Sequence, residues 1–266
     1  MLSMKLRMVP ASRGLGWVRE GLRLSLKQPS GFLGLMGPVA ILFVLGMTLP
    51  LFGPLMAVAA PGIWMAFMLA SRRALAGERI TPGLLIEPYR DPSARRRWLQ
   101  LGGAYALALI LVSVLFGMLV DVEALARTAE TAEQGEAAAL DLSAVKSSML
   151  WLVALFVPVS LLFWHTPALL HWGKLPVAKA VFFSAVACWR NIGAFIVYGA
   201  AWLVVMLGVG AIIQLVSALM PVPLLGGVLA TLGGLWVASA LYASLYFTVV
   251  DCFESGRDNA GPSDAA

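Results

Sequence analysis

The residues best suited to chemistry stand together in Trp164-His165-Thr166-Pro167-Ala168-Leu169-Leu170-His171-Trp172. Two imidazoles could hold a divalent metal or pass a proton. A helical metal pair sets its histidines four residues apart on one face. Here the spacing is six with a proline between, and no nearby Cys, Asp or Glu completes a tetrahedral ligand set. His165 and His171 therefore read as interfacial anchors beside Trp at the inner end of an apolar span, with a lipid-headgroup or metal role as the competing use. Arg95-Arg96-Arg97 before Trp98, and Arg190 further on, could contact anionic headgroups, although such a cluster also serves as a plain stop signal. Cys188 and Cys252 match no metal or redox spacing and are expected to be free thiols. Walker A, Gly-x-Gly-x-x-Gly, His-Glu-x-x-His and Gly-x-Ser-x-Gly patterns are missing. The expectation is a non-enzymatic protein with no catalytic, cofactor-binding or metal-binding residue and no cofactor.

The elements that must position these residues are membrane spans. The chain is 60% apolar and 12% charged, against roughly 45–50% and about 25% in globular domains. A bilayer core needs about 20 apolar residues per helix, and six stretches qualify: 31–49, 51–70, 98–120, 147–170, 192–220 and 224–250. The fold class is all-α, a polytopic membrane bundle of six transmembrane helices. Residues 1–30 form a basic cytoplasmic or interfacial segment, 31–250 the six-span domain and 251–266 a polar, disordered cytoplasmic tail. A cleaved signal peptide is not expected, since the first apolar run begins only at Gly31.

Two amphipathic helices lie outside the spans. Trp17, Val18, Leu22 and Leu26 recur at helical spacing with Arg13, Arg19, Arg23 and Lys27 between them, as suits a helix lying in the interface with its cations toward headgroups. Residues 177–189 read the same way. Pro50 and Pro221-Val222-Pro223 supply turns, 121–146 is an acidic helical excursion, and the long fifth span must tilt, protrude or bend near Gly208-Val209-Gly210.

Of the 19 Lys and Arg residues, 17 fall in alternate gaps between spans, leaving only Arg127 and Lys146 for the others. Basic residues near span ends favour the cytoplasm, so both termini are predicted inside. The net charge of +5 then reflects orientation and anionic lipid at the cytoplasmic face rather than nucleic acid, which is not an expected partner. Spans one, two, three, five and six hold no ionisable residue. That counts against proton-driven transport and charged-ring channels, although carbonyls at broken helices could still bind an ion.

Gly226, Ala230, Gly234 and Ala238 recur every four residues and predict close helix packing, within the chain or in a homo-oligomer. Tyr242 and Tyr246 continue that face and either line a cavity or belong to the interfacial belt. Gln214 is expected to hydrogen-bond across helices. An internal repeat is also legible. Residues 27–32 align with 190–195, and Gly62-Ile63-Trp64-Met65-Ala66 with Gly234-Leu235-Trp236-Val237-Ala238, implying parallel hairpins about an axis along the membrane normal.

Residues 165–173, the Ala187-Cys188-Trp189-Arg190-Asn191 run with Gly193-Ala194-Phe195, and Tyr242-Ala243-Ser244-Leu245-Tyr246-Phe247, with Val9-Pro10-Ala11 and Gly16-Trp17-Val18, carry a resemblance. Over residues 4–253 the chain resembles a family of uncharacterised six-helix inner-membrane proteins of Gram-negative bacteria. The resemblance implies a bacterial inner membrane and carries over no activity. The function expected is a membrane component that interacts with lipids or other membrane proteins. The alternative is a transporter or permease for an apolar or amphipathic solute.

Overall fold

The computed structural model describes residues 5–49, 52–133, 142–220, 222 and 224–254. The turns predicted at Pro50, Pro221 and Pro223, the middle of the acidic excursion and residues 255–266 lie outside these. In chain order the helices are α1 (Arg13–Lys27), α2 (Pro29–Thr48), α3 (Phe52–Leu75), α4 (Pro92–Leu119), α5 (Val122–Glu133), α6 (Leu142–Phe163), α7 (Thr166–His171), α8 (Val177–Arg190), α9 (Ile192–Leu219) and α10 (Leu225–Cys252), with a 3-10 stretch at Pro82–Tyr89. Two short strands, β1 (Lys5–Leu6) and β2 (Phe253–Glu254), pair antiparallel.

Six of these elements are long and apolar enough to cross a bilayer, with α6 and α7 together forming the fourth. The predicted spans are all present, with shifted ends. α4 starts six residues early because Asp91 caps it: the carboxylate accepts from the Ser93 amide at 2.9 Å and the Ser93 hydroxyl at 2.7 Å, and Pro92 follows. α2 opens on Pro29, where a missing N–H costs nothing. Span four is broken between Phe163 and Thr166, so its inner end is a separate helix. α9 runs as one helix through Gly208-Val209-Gly210. Several hydroxyls within the spans satisfy themselves on the preceding turn, as in Ser113 to the Leu109 carbonyl at 2.9 Å and Ser217 to Ile213 at 2.8 Å.

The core occupies one end of the bundle. Helices α2, α4 and α9 bury their first halves, around Phe32–Val39, Ala94–Ala106 and Ala194–Trp202. The returning helices α3 and α10 bury their second halves, Pro61–Ala74 and Val237–Cys252. All five meet at the end that carries the basic clusters, and the opposite halves present apolar side chains outward. Lipid is as apolar as leucine, so close fit rather than water exclusion holds such helices together.

α1 lies across the basic ends of α9 and α10. Its buried face is Gly14, Trp17, Val18, Gly21, Leu24 and Ser25, whereas Leu26, expected on the apolar face, is 63% exposed. The apolar face thus meets protein rather than lipid. A Cβ on Gly14 would overlap the Ala194 carbonyl, and one on Gly21 would crowd Ser244 and the Ala240 carbonyl, so both glycines permit backbone contact. Trp17 packs against Phe195 and Tyr198 with ring centroids 5.3 and 5.9 Å away. Its indole donates to Asp251 at 2.7 Å, and Arg13 pairs with the same carboxylate and with Glu20. Asp251, then Glu20, hold the Arg13 guanidinium above its ordinary value. Residues 251–254, assigned by sequence to the disordered tail, are therefore part of the fold. By contrast α8 packs on α6 and α7 and turns Trp189, 72% exposed, outward as an interfacial helix would.

The repeat is visible in one contact and broken elsewhere. Ser71 donates to the carbonyl of Ala243 at 2.9 Å, a pair separated by 172 residues, which is the offset between the aligned segments. α3 and α10 therefore lie side by side in register. α2 packs on α10 but α9 makes almost no contact with α3, and α1 and α8 dock differently, so no two-fold axis relates the hairpins.

Candidate functional site

The two histidines occupy separate environments. His165 fills the break between α6 and α7 and is 0% exposed, which removes it from the headgroup contacts. Its backbone amide donates to Ser184 at 2.9 Å, its Nδ1 lies 3.4 Å from Cys188 Sγ, and Phe195 and Phe253 flank the ring. Chain breaks leave backbone groups unpaired, and Ser184 on α8 supplies the partner here. Cys188 and Cys252 are both buried, unpaired thiols. Burial, then the neighbouring Cys252, pushes the Cys188 thiol up, away from a reactive thiolate.

His171 is half-buried at the basic rim, near Trp98 and Trp172, and Arg72 stands over the Trp172 ring at 5.8 Å. Arg97 donates to the Lys174 carbonyl at 3.3 Å, Arg95 to the Tyr89 carbonyl at 3.4 Å, and Arg190 approaches the Met8 sulfur at 3.4 Å. Arg96 is exposed and makes no hydrogen bond or ion pair among the described residues. The four arginines sit on the rim but do not converge on one site.

The small-residue stripe of α10 does something other than pack. A Cβ on Gly234 would meet nothing within 4 Å, and the glycine that touches α9 is Gly233, against Ile213. Gly226 alone approaches a neighbour, Ser217. Ala230, Gly234 and Ala238 instead floor an apolar cleft. On one flank a cavity of about 530 Å³ is walled by α9 residues including Val209, Ile213 and Gln214. On the other, one of about 460 Å³ is walled by α2 and α3 residues including Val39, Phe43 and Ile63. Gln214 makes no interhelical hydrogen bond among the described residues and lines the cleft instead. Tyr242 closes the cleft at its lower end, while Tyr246 belongs to the rim beside Trp172 at 5.9 Å.

A third chamber, of about 230 Å³, lies on the far side of Tyr242, between α3, α4, α6 and α10. From sequence, Tyr105 and Ser160 are passed over, while Trp64 stands out only in the repeat and Trp164 only as an interfacial anchor. The arrangement offers lipid-depth cavities with apolar walls and a few hydroxyls, and no Asp, Glu, Lys, Arg or His among the lining residues.

No protein-family model matches the chain, and no solved structure matches it. A protein of Burkholderia thailandensis, named as a probable inner membrane protein, is 32% identical over 279 residues, an alignment covering 94% of this chain and 94% of the relative.

Proposed function

The chain belongs to the same family as that probable inner membrane protein, and from this premise we propose that it is a non-enzymatic component of the bacterial inner membrane whose cleft receives lipid acyl chains. The observation that carries the reading is the apolar cleft floored by Ala230, Gly234 and Ala238. Its walls offer dispersion contact and almost no polar group, so a saturated or monounsaturated chain fits its chemistry. The cleft opens in the half of the bundle away from the basic clusters, so the chain it receives belongs to a lipid of the opposite leaflet, while the exposed basic rim, Arg96 foremost, suits anionic headgroups on its own side. In this reading both termini are cytoplasmic, as the placement of 17 of 19 basic residues favours.

A phospholipid carrying a photoreactive group on its acyl chain tests the reading. Crosslinks should concentrate on α2, α9 and α10 around the cleft, and Gly234→Trp, which fills open space, should remove them. Labelling spread evenly over the lipid-facing helices would sink the idea. Orientation has its own test: alkaline phosphatase fused at Ala137 should be active, and fused at Ser93 inactive.

A permease for an amphipathic solute is the second reading, favoured by the position of the cleft between two hairpins. The core at the basic end, with Trp17 and Trp98 buried, stands across any path through the molecule. Uptake of a fluorescent amphiphile into proteoliposomes distinguishes the two readings.

A further inference from the structure

The chamber between α3, α4, α6 and α10 has a chemistry of its own. Tyr105 is 6% exposed, and its ring is fixed edge-on by Trp64 at 5.0 Å and Phe163 at 5.1 Å. The side chain is buried, but its hydroxyl makes no hydrogen bond among the described residues and opens on the chamber instead. Ser160 stands on the facing helix α6 and lines the same chamber. Ser113 and Ser217 bond to the carbonyl four residues back, but the Ser160 hydroxyl makes no such bond. Two hydroxyls on opposing helices thus face a shared space with their donor capacity unspent.

The remaining walls are mainly aromatic, Trp64, Phe156, Trp164 and Tyr242, with Leu241 and Leu245 of α10 beside them. The Trp164 indole is already committed to Thr248 at 3.1 Å, so it contributes its face rather than its N–H. No acidic side chain lines the space to neutralise a cation and no basic one to receive an anion, and an uncompensated charge at this depth is costly. Phe156, 43% exposed, marks the side on which the chamber meets lipid between α4 and α6. A ligand that fits is flat, uncharged, rich in hydrogen-bond acceptors and able to arrive through the bilayer.

We propose that this chamber binds the ring of a membrane quinone, with Tyr105 and Ser160 donating to its carbonyl oxygens and Trp64 and Trp164 packing on its faces. The prenyl or alkyl tail leaves past Phe156 into lipid. The site is distinct from the acyl-chain cleft, with which it shares the wall formed by Trp64, Leu241 and Tyr242, and the two readings stand or fall separately.

The test is isothermal titration of the full chain in lipid nanodiscs with decyl-benzoquinone, decylbenzene and decyltrimethylammonium. The quinone should bind saturably and at least tenfold more tightly than decylbenzene. Tyr105→Phe and Ser160→Ala should each weaken it about three- to tenfold, as expected for loss of one buried hydrogen bond. Ser113→Ala, on the lipid-facing side of α4, should leave it unchanged. Equal binding of decylbenzene, tighter binding of the ammonium probe, or indifference to both hydroxyl deletions would each overturn the proposal. Thermal unfolding of each variant checks folding, and Ser160→Ala carries the test should Tyr105→Phe not fold. Photolipid labelling of the cleft is expected to be the same in both variants, which keeps the two readings apart.

Discussion

Asp251 receives an N–H from Trp17 and another from Arg13, and so fixes α1 to the end of α10. Asp251→Ala leaves a buried indole N–H unpaired and Arg13 with Glu20 alone. The expected cost is about 1–3 kcal/mol, read as a lower unfolding midpoint in detergent. Cys188 gives a second expectation. Its raised thiol value keeps it protonated at neutral pH, so maleimide should modify it slowly in the folded protein and quickly after denaturation. Asp91 supplies the pH dependence. Its hydrogen bonds from Ser93, side chain first, hold the carboxyl below its ordinary value. The cap therefore stabilises α4 above the unfolded carboxyl value and is lost as pH falls through the lower, folded one. The protection of the Ser93 amide against hydrogen exchange, taken relative to the intrinsic rate at each pH, should fall in that acid window and not near neutrality. Read from sequence, the third span begins at Trp98, which passes over the Asp-Pro-Ser cap, and Asp251 stands first in a polar tail. Nothing local in sequence separates an acid that ends a span from one that anchors a distant helix.

At the scale of elements, glycines divide by what faces them. A Cβ on Gly102 in α4 would overlap the carbonyl of Val58 in α3, so Gly102→Ala should weaken the α3–α4 contact and lower the unfolding midpoint. Gly234→Ala, with nothing within 4 Å, should be tolerated or slightly stabilising through its helix propensity. The opposite ranking would mean that the stripe of α10 is a packing face after all. Periodicity predicted Gly234 and passed over Gly102, because a small-residue stripe reports that a helix has a smooth face and says nothing of what covers it. The amphipathic helices show the same limit. The 177–189 segment appears as α8 with its aromatics outward, but α1, the more amphipathic of the two, turns its apolar side into protein. Period and charge specify a two-faced helix, and only the partners decide which medium each face meets.

At the scale of the whole molecule, six spans and their alternation were legible because the bilayer imposes length and polarity on every crossing. The concentration of the core at the basic end was not. Core and lipid have the same polarity, so a span that is packed along half its length has the same hydropathy as one packed along all of it. The clasp between the chain's ends was equally hidden: β1 pairs with β2, the Arg7 amide donates to the Cys252 carbonyl at 2.8 Å, and α1 lies across α9 and α10. That clasp sets an order of events during synthesis. α1 leaves the ribosome first, but its docking surface is complete only when α10 has been made, roughly 200 residues later. At about 5–20 residues per second, the earliest helix waits some tens of seconds with Trp17 uncovered. A chain that stops short of its last span therefore displays an unburied first helix, a signal of incompleteness that a membrane protease could read before the protein ever reaches its working form.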